Sequence, residues 1–156
     1  MSVTDLLIGG ICAFGGAFFY AIIFNSDKFD AIWSAALGTM AWTLYTVISV
    51  LSGSTAMGNL TGAFSVGVLA EVIAGLLKNP ATVYVVPGLL PLLPGRDMYL
   101  TMRAAVEGDM NRLLSTGFQT LTTAAAIALA VAIASSAARI TRSIIRRYGL
   151  WRRARF

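Results

Sequence analysis

From residue 31 to residue 70 the chain runs for forty residues without an Asp, Glu, Lys or Arg. A water-soluble helix or strand of that length alternates apolar with charged positions, because one of its faces meets water. Here no such face exists. The stretch leaves room for one complete bilayer crossing and most of a second. Hydrophobic residues make up 57% of the chain against 12% charged, so the rest has the same character. The chain reads as an all-α, polytopic membrane helix bundle of about five spans, one integral-membrane domain over residues 1–156.

Five segments are long or apolar enough to count. Residues 6–24 are nineteen uncharged residues, about 28 Å of helix. Gly9, Ala13, Ala17 and Ala21 recur every four positions in it, a stripe that lets another backbone approach closely. Residues 1–27 contain no Lys or Arg, so the opening lacks the basic start of a secretory signal and is expected to be a retained helix. After a polar connection at 25–30, residues 31–51 form the second span and 61–77 the third. The glycine-bearing, small-polar stretch 52–60 reads as a loop between them. The last span covers 113–138, and a basic tail fills 139–156.

The fourth segment, 81–104, is broken. Pro87, Pro91 and Pro94 each lack an N–H and crowd the carbonyl four residues earlier, so no regular helix runs through all three. Gly88 and Gly95 lie beside them in an otherwise apolar run. At membrane depth irregular backbone survives only where protein or a water-filled cavity satisfies it, and transporters build binding sites from such segments. A kinked span that merely packs is the alternative. Renewed helix after Gly95 carries Arg96 and Tyr99, and its first N–H groups are expected to be open to a substrate carboxylate.

Glu71 lies between Gly67 and Gly75 on a four-residue spacing, in the small-residue stripe of the third span. An ionisable group inside a span points to an ion, proton or substrate pathway, which makes Glu71 the coupling candidate. The alternative is a glutamate near enough to the interface to snorkel or to pair with a partner's arginine. Asn25, Trp42, Tyr45 and Gln119 are candidate pathway-lining residues, although lipid-facing or core packing is the commoner fate of such aromatics. Arg103 and Glu107 stand at i,i+4, as on a solvated helix end.

Charge placement predicts the topology. With five crossings, the seven tail arginines (139, 142, 146, 147, 152, 153 and 155) fall on the same side as Lys28 and Lys78, nine basic residues against Arg96, Arg103 and Arg112. Four crossings, with 81–95 re-entrant, split them seven against five. The positive-inside rule favours the five-span arrangement, N-terminus outside and C-terminus cytoplasmic. The net charge of +5 is thus a topology signal, not a nucleic-acid footprint. With no histidine and only Cys12, His-based triads, an intramolecular disulfide and the usual zinc sites are excluded, and no metal or cofactor is expected. No nucleophile–base pair appears either, so an enzyme ranks last.

The residues quoted, together with Phe24-Asn25, Leu37-Gly38, Leu69-Ala70-Glu71, Pro80-Ala81-Thr82-Val83 and the Pro-Gly-x-x-Pro-Leu-x-Pro-Gly-x-x-x-Tyr-x-x-Met run over 87–102, resemble the threonine/serine exporter family in its small-subunit form. The resemblance covers nearly the whole chain. It implies an export system of the bacterial inner membrane, working with a larger membrane subunit and moving threonine, serine or a dicarboxylate such as succinate, and secondary export driven by the proton gradient is the leading expectation. Association with further copies of the chain stays open. Arg96 and Asp97 stand where family members are mostly small or apolar, so they inherit no role from it. A scaffold subunit that does not itself transport is the second expectation.

Overall fold

The computed structural model describes residues 3–153, and they are helical almost throughout: α1 (Val3–Ile23), α2 (Lys28–Ser52), α3 (Thr55–Leu77), α4 (Thr82–Leu89), a single 3-10 turn (Leu90–Leu92), α5 (Gly95–Glu107) and α6 (Met110–Arg153). Arg155 lies outside the described residues. Four helices are long and apolar enough to cross a membrane, over Leu6–Ile23, Lys28–Ser52, Thr55–Leu77 and Met110–Ala138, while Thr82–Leu92 is a shorter apolar stretch.

The distribution of side chains is that of a protein solvated by hydrocarbon. Alanines at 17, 21, 31, 35, 41, 63, 70 and 130 are fully buried, whereas Ile11, Leu51 and Leu76 are each more than 70% exposed. Lipid is as apolar as leucine, so close backbone packing, not burial of large side chains, brings helices together. Ala17 meets Gly38 where α1 runs antiparallel to α2. Gly58 and Gly62 lie against Tyr45 and Ala41 where α3 runs back along α2, and Gly67 lies against Ala134 of α6.

The helix α3 begins at Thr55, not at Thr61. Only Gly53, at φ 65°, and Ser54 separate it from α2, and the Ser54 hydroxyl accepts the Met57 N–H at 3.5 Å. Gly58 and Asn59 are buried inside the helix. A loop reading treated glycine as a breaker, but a Cβ on Gly58 would sit 2.7 Å from the Tyr45 carbonyl oxygen. The glycine is there for contact.

Short α4 lies in the cleft between α2 and α3. A Cβ at Gly88 would stand 3.0 Å from Val66 Cγ1 and 3.3 Å from Leu37 Cβ. α5 then packs on α6 alone, through Gly117 against Thr101 and a Thr101–Thr116 hydroxyl bond of 3.1 Å. Arg103 and Glu107 form the expected exposed ion pair at 2.6 Å.

Candidate functional site

Pro87 removes the N–H that would bond the Val83 carbonyl in α4. The structure supplies another donor: the Ser34 hydroxyl of α2, fully buried, lies 3.1 Å from Val83 O and shares its proton with Asp30 O at 3.0 Å. The helix therefore continues to Leu89 before Pro91 tightens it into a 3-10 turn. Leu93 is extended, Pro94 caps α5, and the Gly95 N–H turns back to Leu93 O at 2.8 Å. Met98 N–H bonds Pro94 O at 2.9 Å. Among the described residues this leaves the amides of Arg96 and Asp97 as the first-turn donors without an acceptor.

The break opens onto a cleft of about 440 Å³. Pro91, Leu92, Leu93 and Pro94 form one wall; Trp42 and Tyr45 come from α2, Thr55 and Asn59 from α3, Arg96 and Asp97 from α5, and Gln119 and Thr123 from α6. Its walls mix apolar surface with a few convergent polar groups, the composition of a small-molecule site. The rings of Trp42 and Tyr45 lie 5.8 Å apart, and Asn59 is anchored by its amide to Thr55 O at 2.9 Å. Arg96 and Asp97 stand at the first turn of α5 and form no ion pair with each other.

Of the expected pathway residues, the cleft gathers Pro91, Pro94, Arg96, Trp42, Tyr45 and Gln119. Pro87 and Gly88 are buried one turn away in the α2–α3 contact. Gly95 is exposed, with nothing within 4 Å of a Cβ placed on it, and Tyr99 is 63% exposed outside the cleft. Asn25 closes α1 in a left-handed turn at φ 60° and does not line the cleft. Glu71 is half-buried in a separate groove between α3 and α6, beside Val68, Gly75, Ala134 and Ala137. Thr55, Asn59 and Thr123 were not singled out in the sequence; the i,i+4 pair of Thr55 and Asn59 was hidden by reading their stretch as a loop.

A helical membrane bundle with an interrupted segment opening onto a mixed polar cleft defines a class, the multi-pass membrane transporters. The family model of the threonine/serine exporters (ThrE) matches residues 9–137. The chain belongs to that family, and amino-acid export across a membrane is its setting. No curated protein and no solved structure shows a significant match.

Proposed function

We propose that the chain is the small subunit of a proton-coupled secondary exporter of the bacterial inner membrane, that it acts with a larger membrane subunit, and that free amino acids pass through the cleft at the break. The observation that carries this reading is the juxtaposition of Arg96 and Asp97, in the first turn of α5, with Asn59, Tyr45 and Gln119 around one cavity. An amino acid brings one carboxylate and one ammonium. The guanidinium and the helix N-terminus suit the carboxylate, and Asp97 suits the ammonium. A dicarboxylate would set its second carboxylate against Asp97, which favours threonine or serine over succinate.

The course of the same segment supports the five-crossing reading. Tyr84 of α4 stands beside Asp30 at the start of α2, whereas Arg96 of α5 shares a cavity with Tyr45 near the end of α2. The segment thus runs along α2 from Asp30 to the level of Tyr45, and with it the nine-to-three basic asymmetry favours a cytoplasmic C-terminus. The test is transport in proteoliposomes containing this chain, the larger subunit, or both. Asp97→Asn should slow threonine efflux on the order of tenfold while sparing succinate. Equal losses for both substrates would remove Asp97 from ammonium recognition, and wild-type efflux by the larger subunit alone would leave this chain as a scaffold.

A further inference from the structure

We propose that Asp30, Asn79 and Tyr84 form a proton-sensitive latch that holds α4 in the bundle. Its consequence for transport rests on the exporter reading, but its existence does not. Asp30 lies in the first turn of α2, Asn79 in the connection after α3, and Tyr84 near the start of α4. The Tyr84 hydroxyl donates to Asp30 Oδ1 at 2.6 Å, and the Asn79 amide donates to Asp30 Oδ2 at 2.8 Å and to the Tyr84 oxygen at 3.1 Å. The triangle joins three elements through one carboxylate that is only 8% exposed.

Counting protons shows what the arrangement requires. Both N–H bonds of Asn79 and the phenol proton are spent inside the triangle, so each carboxylate oxygen serves only as an acceptor. That is the bonding capacity of an ionised carboxylate; the acid presents an O–H at one of its oxygens. A proton on Oδ2 competes with the Asn79 N–H and a proton on Oδ1 competes with the phenol O–H, and in both cases the charge that strengthens the two bonds is gone. Either way the triangle passes from charge-assisted to neutral bonds, about half as strong.

Little else fixes the charge of Asp30. Asp27 and Lys28 precede it on its own element and Lys78 ends α3, all three exposed. α1 brings no charged residue between Leu6 and Phe24. Glu71 of α3 faces the groove with α6, and Tyr84 is the titratable group in contact. Among the described residues no Lys or Arg pairs with Asp30.

α4 depends on this contact more than a long helix would. Its eight residues are too few to hold a helix unaided, and Pro87 has already removed one internal bond. Apart from the triangle, its side-chain hydrogen bond to the bundle among the described residues is the Ser34–Val83 bond. Because α4 continues directly into the turn that lines the cleft, loosening it at Tyr84 frees the wall formed by Pro91 and Leu92.

The experiment is amide hydrogen exchange of the full chain in lipid nanodiscs, read on residues 83–90 and corrected for the intrinsic rate, between about pH 8 and about pH 3, on either side of the reference carboxyl values. In the wild type, acidification should speed exchange of α4 on the order of tenfold or more, the weight of one charge-assisted bond. Asp30→Asn should exchange fast at every pH with no further response. Tyr84→Phe, which leaves the carboxylate and Asn79 in place, should exchange at an intermediate rate with a reduced pH response, and decides the matter if Asp30→Asn does not insert. Wild-type protection that is indifferent to pH, or a full pH response in Asp30→Asn, overturns the latch. Transport is not read, so failure of the exporter reading shows separately in the proteoliposome assay.

Discussion

Replacing Ser34 by Ala removes the side-chain donor to the Val83 carbonyl, whose i+4 helical donor Pro87 has already taken away. A buried polar group left unsatisfied costs about 1–3 kcal/mol. Two observations place the effect at the lower end. The Ser34 proton is shared with Asp30 O, and hydrogen bonds between membrane helices contribute about 0.6 kcal/mol on average and about 1.7 at most. The expected loss is therefore about 1 kcal/mol. The second arm of the cycle is Pro87→Ala, which restores an N–H to Val83 O and should make Ser34 dispensable. In that background Ser34→Ala should cost at most about 0.5 kcal/mol, within the spread of independent sites. Reversible unfolding of the four proteins in mixed micelles by SDS titration measures the cycle. Equal costs of Ser34→Ala in the two backgrounds would refute the idea that Ser34 compensates for the proline.

Three further outcomes are expected. Gly88→Ala sets a methyl 3.0 Å from Val66 Cγ1 and should lower stability by about 1–3 kcal/mol, in the same SDS titration, whereas Gly95→Ala, with open space around it, should leave the midpoint unchanged. A cysteine at Ser54 in a Cys12→Ala chain should react with an impermeant maleimide from the periplasmic side and one at Arg155 should not; the reverse pattern sinks the five-crossing topology. Glu71→Gln should flatten the pH dependence of efflux with insertion intact, and an unchanged pH profile reduces Glu71 to a packing role against α6.

The membrane bundle was legible because hydrocarbon imposes long uncharged runs, and much of the cleft was legible because three prolines cannot all be accommodated in one regular helix, although Pro87 alone is. Pro91, Pro94 and Arg96 were found that way, and Gln119 and the pair Trp42 and Tyr45 by their place in spans. The start of α3 was misread at 52–60, since glycine breaks helices in water but joins them in lipid, as Gly58 does against α2. Glu71 illustrates another limit. Four-residue spacing says which face a residue shares, not which neighbour covers that face, and here the neighbour is α6 and not the cleft. Asp30 and Tyr84, 54 residues apart, meet through the docking of α4, which no local pattern encodes.

The helix α6 has 44 residues, about 66 Å of rise, roughly twice the thickness of the hydrocarbon it crosses. It touches the cleft through Gln119 and Thr123 and bears on α3 at Ala134 against Gly67. The contact with α3 is continuous, since Ile127 and Ala130 pack in the core with Ala63 and Val66, and Ala137 lies beside Glu71. From residue 138 to residue 153 the rod rises about a further 22 Å. The cavity and the arginine-bearing end thus stand on one helix, and a shift at Gln119 reaches that end only by moving the whole α3–α6 seam or by bending the rod.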